Sequence, residues 1–179
     1  MPEIKVIILV FVVYTFASFI QRSVGFGFGI IAMVFLPYFF SSYGEAVALG
    51  GLCSIWGTIY TAYQYRKKID FKSVVFMTIG CMLTTVFAVL FMKTQTNEVL
   101  VKMLGVILVL IALYFTFLNG KIRIKARPRN AFVSGALGGV LNGLFGAGGP
   151  PVVVYVLSAH ENDKEAYIGT IQAYFVLTG

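Results

Sequence analysis

Apolar residues in this chain run in blocks and do not alternate with polar ones. Val6-Ile7-Ile8-Leu9-Val10-Phe11-Val12-Val13 and Val106-Ile107-Leu108-Val109-Leu110-Ile111 carry no two-residue period. That excludes the in–out alternation of a membrane β-barrel. A block of about 20 residues is the length that crosses the hydrocarbon core as a helix. Inside lipid every backbone N–H and C=O must find a partner within its own segment, so these blocks are expected to be helices. The pattern predicts apolar segments over 4–20, 25–40, 46–65, 71–92 and 99–118. A sixth begins near Ala131, is interrupted by Gly146-Ala147-Gly148-Gly149-Pro150-Pro151 and resumes over 152–157; after a polar turn at 158–165 a last segment runs to Gly179. The first block is not a typical cleaved signal peptide, because no small-x-small site follows it.

Composition agrees with the pattern. Hydrophobic residues make up 59% of the chain and charged residues 12%, too little charge to cover the surface of a water-soluble domain of this length. The net charge of +7 raises nucleic acid as a partner, but its placement argues against it. Arg66, Lys67, Lys68 and Lys72 share one loop, and Lys121, Arg123, Lys125, Arg127 and Arg129 share another. Two helices separate the loops, so both are expected on one face of the membrane, and the bias of Lys and Arg makes that face the cytoplasm. Tyr60, Tyr63, Tyr65, Tyr114 and Phe115 fit an interfacial aromatic belt next to these loops. The loops 66–72 and 121–129 are thus read as topology determinants that touch anionic lipid, with no nucleic-acid partner. The turns at 41–45, 93–98 and 158–165 are expected on the outer side.

The chain also repeats itself. Phe26-Gly27-Phe28-Gly29 aligns with Phe145-Gly146-Ala147-Gly148, and the same register sets Ala17 on Ala136 and Ser23 on Asn142. One residue further, Glu45-Ala46 falls on Glu165-Ala166 and Cys53 on Ala173. Each copy reads as helix, glycine-rich break, short apolar helix, polar turn, Glu-Ala, next helix. The expected fold is an all-α polytopic membrane protein: a duplicated helical repeat with glycine-broken helices, residues 1–120 forming the first repeat and 121–179 a truncated second. The first copy continues for two more helices after its Glu-Ala segment, so the natural protein is expected to be longer. Hairpin breaks would make the repeats inverted, with the N-terminus outside; single crossings would make them parallel. Arg22, read as a cytoplasmic end mark, favours the inverted case.

A glycine-rich break frees backbone N–H groups at the positive end of the following half-helix and lets a ligand approach the backbone. Pro150 and Pro151 suit a first helical turn. Half-helices meeting near the midplane form substrate sites in secondary transporters, and such a site favours a small anion. The plainer alternative is that the glycines only permit close packing or a kink. Gly25, Gly27, Gly29, Gly146, Gly148, Gly149 and Pro150 are therefore candidate anion-binding positions, with Ser23 and Asn142 as hydrogen-bond donors. Arg22 either pairs with the anion or marks a helix end and snorkels. Glu45 and Glu165 either carry a coupling proton or complement a helix dipole. Gln21, Gln172 and Tyr174 are further positions able to line the site. His160 reads as a solvated turn residue, and Cys53 and Cys81 as small apolar residues without metal or disulfide spacing. No cofactor is called for.

Ser23-Val24-Gly25-Phe26-Gly27-Phe28-Gly29, with the apolar helix to Pro37, resembles the first signature of the TauE/SafE sulfite exporter family. Residues 138–151, from Gly138-Gly139-Val140 to Gly149-Pro150-Pro151, resemble its second. The resemblance implies a secondary carrier of small anions, largely sulfur oxyanions and organosulfonates such as sulfite. Phe26 and Phe28 stand where the family's glycines often cluster. The sequence contains no HExxH, no GxSxG and no paired carboxylates at helical spacing, so an intramembrane enzyme is not expected. A non-transporting accessory subunit and a carrier of another solute are the alternatives; a homo-oligomer is compatible with either.

Overall fold

The computed structural model describes residues 2–40, 42–117 and 124–179. Ser41 and residues 118–123, which include Lys121 and Arg123 of the second basic loop, lie outside the described residues. The described elements are α1 (Pro2–Val24), α2 (Phe28–Phe35), α3 (Tyr43–Gln64), α4 (Phe71–Thr94), α5 (Asn97–Phe117), α6 (Pro128–Phe145), α7 (Gly149–Ala159) and α8 (Lys164–Thr178). Among the described residues there is no strand. Also among the described residues, four helices are long and apolar enough to span a bilayer, over Ile7–Val24, Tyr43–Gln64, Phe71–Thr94 and Asn97–Phe117. Their outer faces are large and apolar: Phe11, Trp56, Phe87 and Leu110 are all exposed. A surface of this kind is covered by lipid tails, and the molecule is a multi-pass helical membrane protein.

One helix pair forms the spine. Gly135, Gly139 and Gly143 recur every fourth residue on α6, and that stripe presses directly on α4. A Cβ on Gly135 would strike the Met77 carbonyl, one on Gly139 the Cys81 carbonyl and the Thr84 hydroxyl, and one on Gly143 would lie 2.7 Å from the Ala88 Cβ. Gly80 returns the arrangement from α4, against Phe132 and Ala136. Small residues at this spacing let helix backbones approach closely in lipid, where no hydrophobic force drives association. The closeness brings hydroxyls within reach of carbonyls across the seam. Thr84 Oγ1 donates to the Ala136 oxygen (2.8 Å) and Thr85 Oγ1 to the Gly139 oxygen (3.1 Å). Contact positions rise together along both helices, so α4 and α6 run parallel and their first turns share one end of the bundle.

That end is the basic one, and it gathers more than the two charged loops. Lys68 pairs with Asp163 (3.3 Å), and the Asp70 N–H donates to Thr170 Oγ1 (3.0 Å). Asp70 caps α4 through the Ser73 N–H (3.2 Å), and the Ser73 hydroxyl lies 3.0 Å from the Tyr155 hydroxyl of α7. The turn at 158–165, expected on the opposite side from the 66–72 loop, is therefore beside it. The physical reason is the break in the sixth segment. α7 does not continue the crossing of α6 but folds back along it: Ser134 Oγ donates to the Pro151 oxygen at 2.9 Å, and a Cβ on Gly148 would lie 2.7 Å from the Gly138 oxygen. His160, expected to be solvated, is mostly covered instead; its Nε2 is buried, without a hydrogen-bond partner among the described residues, and lies 3.7 Å from Asp70 Oδ2. Asp163, which caps α8, has its carboxyl held below the usual range first by the Ala166 N–H and also by Lys68. A depressed carboxyl stabilises above its unfolded pKa, so this contribution is present at neutral pH and lost only as pH falls through the lowered value.

The opposite end holds the first turn of α3 and the α4–α5 turn, joined where the Tyr43 N–H donates to Asn97 Oδ1 (3.4 Å). Helix α1 lies parallel to α3, with Arg22 beside Gly57 and Tyr60, and so arrives at the basic end. α2 then turns back, stacking Phe28 on Tyr14 with ring centroids 5.3 Å apart. Two hairpins thus enter the bundle from opposite ends. The spine makes a checkable demand. Gly139→Ala should cost about 1–3 kcal/mol by overpacking, read as a lower melting temperature in detergent. Gly105→Ala, where a Cβ meets nothing within 4 Å, should not lower it.

Candidate anion site

The hairpin tips meet inside the bundle. In the first, Gly25 (φ 93°) and Gly27 (φ 107°) take left-handed conformations open to glycine, so α1 stops at Val24 and α2 starts at Phe28 in a new direction. In the second, Gly146 (φ 62°) closes α6, its N–H bonded to the Asn142 oxygen at 2.8 Å. Gly29 then lies directly against Gly146: a Cβ on Gly29 would fall on the Gly146 carbonyl oxygen. Phe26 closes the contact from the side, 3.3 Å from where a Cβ of Gly149 would be.

Helix α8 ties the first tip in place. Gln172, 3% exposed, donates from Nε2 to the Gly25 oxygen (3.0 Å), and the Tyr167 hydroxyl donates to the Val24 oxygen (3.1 Å). These bonds satisfy carbonyls that the break removes from helical pairing. Asn142 Nδ2 donates to the Thr178 oxygen (2.9 Å), joining α6 to the other end of α8. Tyr174 is also buried, against Gly138, and its hydroxyl has no hydrogen-bond partner among the described residues. Gln172 and Tyr174 thus bear on the hairpins through packing and backbone bonds, not by lining the cavity described next.

Around the meeting point lies a cavity of about 570 Å³, walled by both tips and by α3, α4 and α8. Gly27 and Gly29 line it from one tip, Asn142, Gly146, Gly148 and Gly149 from the other. Its polar side chains are Gln21, Ser54, Thr85, Asn142 and Thr178, and none of the described lining residues has an ionisable side chain. Two helix starts border it, α2 after Gly27 and α7 after Gly148, and neither N-terminus carries a side-chain cap. Pro150 and Pro151 sit in the first turn of α7, so they withhold two donors from that turn and leave Gly148 and Gly149 to supply its N–H groups.

Other candidate positions lie elsewhere. Gly25 is buried under Tyr167 and Gln172. Pro150 faces a separate groove between α5, α6 and α7. Ser23 is exposed and turns its hydroxyl back to the Phe19 oxygen (2.9 Å). Arg22 is exposed, over the Tyr60 ring at 5.7 Å from its centroid. Glu45 and Glu165 are exposed in the first turns of α3 and α8. The sequence reading missed the wall that α3 supplies, including Val47, Ala48 and Gly50. The signal available for it was the run of small residues along the first half of α3.

These features define a class: a polytopic helical membrane protein whose internal cavity is shaped by two glycine-broken turns. The family described as Sulfite exporter TauE/SafE matches residues 10–179, and the chain belongs to that family. It is similar to the probable sulfite/organosulfonate exporter TauE of Cupriavidus necator, 25% identical over 140 residues, covering 76% of this chain and 55% of the relative. The chain therefore spans about half the length of the curated relative it matches. No solved structure matches it. Gln172→Leu should strand the Gly25 carbonyl without a partner, costing about 1–3 kcal/mol, measured as a fall in the melting temperature of the purified protein.

Proposed function

We propose that the chain forms a large part of a secondary transporter for a small anion, of the sulfite or organosulfonate kind, and that the anion binds where the two hairpin tips meet. The observation that carries this reading is the convergence of two uncapped helix N-termini, those of α2 and α7, on a cavity without ionisable side chains. Free N–H groups and the positive ends of two helix dipoles attract an anion, yet they bind less tightly than a buried lysine or arginine would. A carrier needs that balance, since its cargo must leave. The relative's name supports sulfite or organosulfonate as the cargo.

The same reading treats residues 1–120 and 121–179 as related units of opposite orientation. The first hairpin enters from the end of the α3 start, the second from the basic end, and α3 and α8 follow them in equivalent order. Inverted repeats around a midplane site are a common basis for alternating access. The positive-inside bias assigns the basic end, with Arg66, Lys67, Lys68, Lys125, Arg127 and Arg129, to the cytoplasm of a cell membrane. Glu45 and Glu165, exposed in equivalent first turns, complement the helix dipoles rather than face the anion.

Gly50 allows a clean test, because it lines the cavity and a Cβ there meets nothing within 4 Å. In proteoliposomes, wild-type protein should carry radiolabelled sulfite or a small sulfonate saturably. Gly50→Leu should reduce that flux to background while keeping its melting temperature, since the side chain occupies the cavity rather than the packing. Undiminished flux in folded Gly50→Leu protein refutes the cavity as the route. Flux of no anion by folded wild-type protein refutes the carrier reading and favours an accessory role.

A further inference from the structure

Arg22 does not reach the central cavity, but it does line a second space. Between α1, α3 and α8 lies a crevice of about 110 Å³ whose walls include Ser18, Arg22, Cys53, Thr61 and Gln172. Its lining is mostly polar, inside helices that otherwise show apolar faces to lipid. Gln21 and Ser54 line both this crevice and the central cavity, so the two spaces share a wall. Thr61 lies in the last turn of α3, which leads straight into Arg66, Lys67 and Lys68. The crevice therefore stands between the basic end of the bundle and the anion cavity.

No carboxylate lies within ion-pair distance of Arg22 among the described residues. Its guanidinium rests over Tyr60 and beside Gly57, where a Cβ would be 3.3 Å from a guanidinium nitrogen. A helix-end arginine whose sole task was to mark the interface needs no polar crevice beside it. Intramembrane cations pair with a counter-ion or mark a path for one.

We propose that this crevice is an antechamber for the transported anion: a second, outlying binding station in which Arg22 supplies the charge that the central cavity lacks. The proposal rests on the carrier reading. A small oxyanion of net negative charge is drawn from the basic end to Arg22 and passes the Gln21–Ser54 wall to the N–H groups of the two tips. Gln172 stands at the same wall while its amide holds the Gly25 carbonyl, so an anion in the crevice lies next to the bond that fixes the first tip. Long-range attraction then speeds capture, and the uncharged inner site keeps release fast.

Cys53 reports on the crevice because it is one of the lining residues and is exposed, whereas Cys81 is buried. In membrane-embedded full-length protein with Cys53 as its sole cysteine, Cys53 would be labelled with an anionic and a cationic methanethiosulfonate of similar size. The anionic reagent should react about tenfold faster than the cationic one, relative to their rates with a free thiol. Arg22→Gln should remove that preference, Arg22→Lys should keep it, and methanesulfonate should slow the anionic reaction. In flux assays Arg22→Gln should raise the anion's half-saturation concentration more than it lowers the maximal rate. A labelling rate indifferent to reagent charge, or no labelling by either reagent, overturns the antechamber. A charge preference in a wild-type protein that moves no anion leaves the Arg22 station standing and refutes the carrier reading alone.

Discussion

The contact on which this architecture turns is backbone against backbone: the Cα of Gly29 on the carbonyl of Gly146. A side chain at position 29 would occupy the space of that oxygen, so any residue other than glycine would hold the tips apart. With the tips together, the first turns of α2 and α7 border one cavity. With them apart, two unpaired helix starts would sit separately in an apolar interior, where each unsatisfied donor is costly. The glycines that break the helices and the glycine that lets the breaks meet therefore serve one geometry.

That geometry needs a rigid frame, and lipid offers no hydrophobic force to hold helices together. The frame comes from the α4–α6 spine, where glycines replace side-chain bulk and Thr84 and Thr85 bond across the gap. The α8 helix adds the second restraint through Gln172 and Tyr167, each donating to a carbonyl that the first break frees. The hairpins are thus held from outside by neighbouring helices while their tips remain lined by glycine. A rigid surround with a locally unpaired backbone is what anion binding by N–H groups requires.

Much of this was legible in the sequence. Apolar blocks gave the helices, because in lipid length and hydropathy leave few alternatives. Paired glycines and prolines pointed to the two interruptions, and Gly25, Gly27 and Gly146 adopt left-handed conformations that favour glycine. The direction taken after each interruption was not legible. A break that continues across the membrane and one that folds back have the same composition, and it takes tertiary contacts such as Ser134 with Pro151 and Lys68 with Asp163 to separate them. For that reason the 158–165 turn was expected at the wrong end. Helix partners were hidden for a similar reason: Gly135, Gly139 and Gly143 show a close-packing face but not which helix fills it. Arg22 was visible as a charge beside a break, while its separation from the central cavity depends on the angle between α1 and α2.

The central claim is that the transported anion sits between the N-termini of α2 and α7. The most direct measurement is anomalous diffraction from crystals of the full-length protein soaked in selenite, whose selenium marks the position of a sulfite-like anion. The account predicts a selenium peak in the central cavity, within hydrogen-bond distance of N–H groups in the 28–30 and 148–149 stretches. A cavity empty at saturating selenite, or selenium bound only at the exposed basic loops, would contradict it.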